Sequence, residues 1–117
     1  MSTLSINART DAGGTVHIHP TGEIDSDNAH DIRDAVRGVL ATGQPRLIKV
    51  DMAGVSFIDS VGIGALVSCY HTAAASEVRL VVCNPTAYVH RLFYVSGLLG
   101  LFGSPARPPE QRDHEPV

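Results

Sequence analysis

Ile58-Asp59-Ser60-Val61-Gly62 places a hydroxyl between a strand-like and a helix-like run. Upstream, Leu47-Ile48-Lys49-Val50-Asp51 reads as a buried strand. Downstream, Ile63, Leu66, Val67, Tyr70 and Ala74 recur with helical period. At such a junction Asp59 or Ser60 caps the helix, accepting hydrogen bonds from the N–H groups its first turn leaves unpaired. Those groups and the helix dipole also favour negative charge. A phosphate on the hydroxyl is therefore tolerable to the helix that bears it, which makes Ser60 a candidate switch.

Other chemistries fit less well. A nucleophile elbow, G-x-S-x-G, has its second glycine in Gly62, but Ile58 occupies the first position, and nothing in the sequence brings His71 or His90 to Ser60 as a base. Gly62-Ile63-Gly64 lacks the third glycine of a dinucleotide fingerprint, since position 67 is Val67, and no Walker lysine follows. These glycines read instead as sites of close backbone approach, keeping the helix surface low beside Ser60. His17 and His19 project to one side of a strand but have no third ligand, so a solvated strand face is expected and no metal. Cys69 and Cys83 lie in apolar segments without metal-like spacing and read as reduced, buried thiols. Asp25, in Glu23-Ile24-Asp25, stands where the second strand gives way to the first helix.

The elements that position these residues follow from periodicity. Leu4, Ile6 and Ala8 alternate, Asp11-Ala12-Gly13-Gly14 turns, and Val16 and Ile18 alternate again, giving a hairpin. Pro20 in its second strand suggests an edge or a bulge. Ser26 or Asp27 caps a first helix carrying Ile32, Ala35, Val36, Val39 and Leu40, and Gly43 ends it. A third strand covers about 46–52, a second helix about 60–75, and a fourth strand Val78–Cys83. Asn84-Pro85 opens a third helix with the apolar face Val89, Leu92 and Phe93, closed by Gly97. Leu98–Phe102 is read as one last short strand. The order ββαβαβα(β) implies an α/β fold: a single mixed sheet of four to five strands with helices packed on it. The domain is expected over residues 1–103. Residues 104–117 read as a disordered tail, because four of the seven prolines fall in the last thirteen residues among charged ones. The apolar run Leu98–Phe102, left without a later cover, suggests a monomer or weak dimer.

Composition narrows the function. The 117 residues suffice for one core, and hydrophobic residues make up 44% of them. With a net charge of -3, nine Lys plus Arg and no basic run, a nucleic-acid partner is not expected. No apolar stretch approaches a membrane span and Met1–Ser5 lacks signal-peptide character, so a cytoplasmic protein without a membrane partner is expected.

Taken together, the chain resembles the STAS domain, in particular the single-domain bacterial anti-sigma factor antagonists. The matching pieces are Gly22-Glu23-Ile24-Asp25, the run from Val50 to Leu66 containing Ile58-Asp59-Ser60-Val61-Gly62-Ile63-Gly64, Asn84-Pro85, and Val95-Ser96-Gly97-Leu98. The resemblance covers nearly all of residues 3–103. It implies a protein with no catalytic activity, no catalytic residues and no cofactor. Unphosphorylated, such a protein binds an anti-sigma factor that is also an ATP-binding serine kinase, and a sigma factor is freed. The kinase phosphorylates the serine of the Asp-Ser motif, here Ser60, the complex separates, and a serine phosphatase resets the cycle. The partner surface implied here is Asp25 together with Asp59, Ser60, Val61, Gly62, Ile63 and Gly64. The alternative role is that of a scaffold module in a larger signalling complex. Pro20 departs from the pattern, and a proline-rich tail stands where the family commonly has a further helix.

Overall fold

The computed structural model describes residues 3–98 and residue 100. Strands β1 (Leu4–Thr10) and β2 (Thr15–Ile24) form the hairpin; α1 (Ala29–Thr42), β3 (Leu47–Asp51), β4 (Gly54–Ile58), α2 (Ser60–Ala75), β5 (Arg79–Cys83) and α3 (Ala87–Val95) follow. The five strands make one mixed sheet in the order β1-β2-β3-β5, with β4 also pairing β2. β1 runs antiparallel to β2, and the other pairings are parallel.

Register converts strand alternation into a layered core. Val16, Ile48 and Leu80 stand side by side across β2, β3 and β5, as do Ile18, Val50 and Val82, and all six are buried. Helices α1 and α2 pack against each other, α1 also against β2 and α2 against β5. They contribute Ile32, Val36, Ala65, Leu66, Cys69 and Ala73 to the core. The opposite sheet face carries His17, Lys49 and Val81 in register, all half-buried.

β2 serves two partners on one edge, and this split positions the site. β3 pairs through Ile18 and β4 begins at Thr21. Pro20 sits at the break between them, neither on an outer strand nor in a bulge as its sequence suggests. A residue without an N–H is tolerated where that edge changes partner. The bulge lies after it, between Gly22 and Glu23. Gly22 has φ +118°, and a Cβ there would strike the Thr3 carbonyl. That carbonyl instead accepts the Glu23 N–H at 3.1 Å, so glycine is required.

Several boundaries differ from the sequence expectations. Among the described residues the fifth strand is β4, which the sequence reading did not expect. Leu98 donates its N–H to Phe93 O at 2.9 Å, closing α3, and so has none to give a ladder; Gly100 is helical. Leu99, Leu101, Phe102 and the expected tail, 104–117, lie outside the described residues. Asn28, not Ser26 or Asp27, is the N-cap residue of α1, and Thr86, not Asn84, caps α3, accepting the Val89 N–H at 3.3 Å.

Candidate functional site

The C-terminal ends of β2 and β4 form the floor of the site. Ile24 and Ile58 are register partners and fully buried. The first turn of α2 rests directly on them through Gly62: a Cβ there would lie 2.7 Å from Ile58 Cγ1, 2.8 Å from Ile24 Cγ2 and 3.0 Å from the Ile24 carbonyl. Only glycine lets the helix descend so far. Gly64 meets nothing within 4 Å, so the close approach expected of both glycines belongs to Gly62 alone.

Asp59 fixes the entry angle. It is the N-cap residue of α2, and its Oδ1 accepts the Gly62 N–H at 2.9 Å. Its own N–H donates to Ile24 O at 3.1 Å, tying the cap to β2. Of the two capping candidates Asp59 performs the role, which leaves Ser60 as the first helical residue. Ser60 is exposed, as are Val61 and Gly64, while Ile63 and Asp59 are half-buried and Gly62 is buried.

Asp25 lies at the end of β2, beside the same floor. Its Oδ1 accepts the Asp27 N–H at 3.0 Å, and its carbonyl accepts the Ala29 N–H at 2.8 Å, so it nucleates the turn into α1. The clamp of that turn is Asn28, which the sequence reading missed. Its Oδ1 accepts the Asp25 N–H and its Nδ2 donates to Glu23 O, each at 2.9 Å, with the side chain buried. Within Ser26-Asp27-Asn28 the sequence offers three similar capping residues, and only the β2 geometry selects one.

His71 lies eleven residues along α2 from Ser60, about 16 Å at the rise of an α-helix. His90 is fully buried on α3. His17 and His19 stack with ring centroids 6.3 Å apart, yet each turns to a different carboxylate, His17 Nε2 to Asp11 Oδ2 at 2.9 Å and His19 Nδ1 toward Asp51 Oδ2 at 3.6 Å. The His17 hydrogen bond holds the Asp11 carboxyl at about 2, below its ordinary value. His30, Asp31 and Asp34 bring ligand atoms within 4.8 Å of one another, but all three are exposed. Burial pushes the Cys69 thiol up to about 11 and raises that of Cys83, so neither is a ready nucleophile. Among the described residues no helix is long and apolar enough to cross a membrane.

A second feature missed from sequence is an exposed aromatic pair, Phe57 on β4 and Tyr88 on α3, stacked at 6.0 Å between centroids. No spacing in the sequence links these two elements.

The STAS-domain family profile matches residues 6–112. An anti-sigma F factor antagonist of Lysinibacillus sphaericus is 30% identical over 84 residues, 72% of either chain. An anti-sigma-B factor antagonist of Listeria monocytogenes is 26% identical over 95 residues, 81% of this chain and 82% of that protein. Among solved structures, the anti-sigma factor antagonist SpoIIAA in its unphosphorylated form superposes with a TM-score of 0.72 at 24% identity, covering 97% of this chain and 99% of that one. The phosphorylated form of Bacillus SpoIIAA gives 0.67 at 24% identity, covering 94% and 97%. The likeness to SpoIIAA is one of fold.

Proposed function

The chain belongs to the STAS-domain family, and we propose that it is an anti-sigma factor antagonist that switches partners on phosphorylation of Ser60. Unphosphorylated, it binds an anti-sigma factor that is also an ATP-binding serine kinase, and a sigma factor is released. Phosphate on Ser60 reverses the binding, and a serine phosphatase restores it. The protein is a binding module of the cytoplasm, without catalysis or cofactor of its own, and its domain ends near residue 103.

The observation that carries this reading is the placement of Ser60. It is exposed at the first turn of α2, while the neighbouring Asp59 supplies the cap and Gly62 seats the helix. The hydroxyl is therefore available without loss of structural support. Phosphate adds about -1.5 to -2 of charge. Within the protein, the N-terminal N–H groups and dipole of α2 oppose its cost. Across an interface closed over a neutral serine, the same charge must be desolvated without a partner. Phosphorylation thus acts on binding and leaves the fold in place. The names of the relatives, both anti-sigma factor antagonists, support the role. An accessible hydroxyl at this position favours the switch over a passive scaffold.

Titration of the unmodified protein, Ser60→Ala and Ser60→Glu against purified anti-sigma kinases tests the reading. The first two bind alike, and Ser60→Glu binds more weakly by several kcal/mol or about a hundredfold. Equal affinity of Ser60→Glu and the unmodified protein would overturn it.

A further inference from the structure

A cleft of about 580 Å³ opens where β2, β3 and β5 begin, on the sheet face opposite α1 and α2. Thr15, Leu47 and Arg79 stand there in one cross-strand row, and Val81 follows on the same face. Arg46 closes one rim and Asp11 another. The Arg46 N–H donates to Gly14 O at 3.0 Å, and a Cβ on Gly14 would lie 3.5 Å from Arg46 Cγ, so the arginine stem is laid over the hairpin. Thr15 opens β2 and Ile24, beneath the head of α2, closes it, about 30 Å away at the rise of a strand.

Neither the Arg46 nor the Arg79 guanidinium has an ion-pair or hydrogen-bond partner among the described residues. Asp11 gives its oxygens to the Gly13 and Thr15 N–H groups and to His17. Glu77 is exposed and pairs with neither arginine. Residues 9–15, 46–49 and 77–81 build this end of the sheet. They hold Arg9, Arg46, Lys49 and Arg79 against Asp11 and Glu77, in a chain whose net charge is -3. The two arginines do not serve the helix dipoles. Each stands four residues beyond the end of its preceding helix, at Thr42 or Ala75, and a dipole acts only over the last turn.

We infer that Arg46 and Arg79 bind a phosphate monoester of a small organic molecule over a floor made by Leu47 and Val81. A planar carboxylate is satisfied by one guanidinium fork. A phosphate group presents three terminal oxygens and bridges two forks, relieving the repulsion between like charges that share a cleft. The volume is that of a small-molecule site and exceeds what a lone phosphate fills. Leu47 and Val81, both half-buried, meet the carbon part of the ester. The Thr15 hydroxyl supplies a further donor. This site and Ser60 lie at opposite ends of β2, so the ligand leaves the head of α2 uncovered and binds whether or not Ser60 carries phosphate.

Phenyl phosphate, inorganic phosphate and benzoate, titrated at matched ionic strength into the ¹⁵N-labelled protein, test the site without any kinase. Phenyl phosphate shifts the amide signals of Thr15, Leu47, Arg79 and Val81. Inorganic phosphate binds about fivefold more weakly and benzoate about tenfold. The double variant Arg46→Gln/Arg79→Gln keeps its melting temperature and loses more than about tenfold in affinity for phenyl phosphate. Arg79→Gln alone, at an exposed position, loses about threefold, and Ser60→Glu binds as the unmodified protein does. Equal affinity for benzoate would overturn the phosphate assignment, and equal affinity for inorganic phosphate the organic part. Shifts that survive the double variant, or that gather at Ser60–Gly64 instead, would overturn the site itself.

Discussion

At the β1–β2 hairpin, Asp11 Oδ1 accepts the Gly13 and Thr15 N–H groups at 2.9 and 3.0 Å, and Oδ2 takes His17 at 2.9 Å. At the opposite end of β2, Asp59 Oδ1 accepts the Gly62 N–H at 2.9 Å, and its second oxygen has no hydrogen-bond partner among the described residues. Both aspartates shape a turn. The hairpin consumes its carboxylate wholly within the chain. The head of α2 keeps half of one in reserve, next to an exposed serine. An acidic residue at a turn thus becomes informative about binding only when its hydrogen bonds are counted. The difference also separates what the two ends contribute: the hairpin supports the sheet, while the α2 end supports the sheet and presents a surface.

The largest effect expected at that surface comes from the glycine beneath it. Gly62→Ala forces a methyl against Ile24 and Ile58, a cost of about 1–3 kcal/mol for overpacking, offset by about 1 kcal/mol of helix propensity. A net loss of up to about 2 kcal/mol in urea unfolding is expected. Gly64→Ala, two positions along and facing open space, gains up to about 1 kcal/mol instead. If Gly62→Ala unfolds at the same urea concentration as the unmodified protein, α2 is not seated as described.

Removing the cap is next in size. Asp59→Ala loses about 1 kcal/mol, whereas Asp59→Asn caps nearly as well and changes stability by only about 0.3 kcal/mol. Asp59→Asn therefore removes charge and keeps structure. Its kinase affinity falls if the spare oxygen meets the partner. Unchanged affinity would make Asp59 a cap and nothing more, like Asp11 at its hairpin.

The far end of α2 gives a comparable gain. Glu77 is held at φ +60° where its N–H and that of Val78 bond back to Ala74 and Ala73. Glycine takes that conformation without the steric cost of a Cβ. Glu77→Gly is expected to raise stability by about 1 kcal/mol, with kinase binding unaltered. A loss in thermal melting would contradict the geometry.

The smallest effect is that of pH on the hairpin. Asp11 titrates at about 2 in the folded chain against 3.8 in its absence. As pH falls, the unfolded state takes up the proton first, so the contribution of Asp11 is full above about pH 4 and lost toward pH 2. Asp11→Asn should flatten stability across that window. An unchanged acid profile would show that the His17 hydrogen bond does not persist in solution.

Most of the frame was legible because its signals are local. Alternation in β2 and β3, the helical period after Ser60 and the turn at Asp11 each need only neighbouring residues. β4 was not legible: its burial runs exposed, buried, exposed, exposed, buried, so Ser56 and Phe57 break the alternation that announces a strand. The caps at Asn28 and Thr86 depend on where β2 and β4 end, since Asn28 reaches Glu23 O and Thr86 Oγ1 lies 3.5 Å from Val55 O. The Ser60 motif was readable as a sequence. That Asp59 caps and Ser60 stands free of that task is a matter of hydrogen-bond geometry.

Phosphate mapping on Ser60 tests the central claim most directly. The unmodified protein and Ser60→Ala are incubated with anti-sigma kinases and ATP, and the modified residue is located by mass spectrometry. The account predicts one phosphate, on Ser60, in the unmodified protein and none in Ser60→Ala, with both proteins melting at similar temperatures. Equal incorporation into the two, at Ser56, Ser68 or any other hydroxyl, would contradict it.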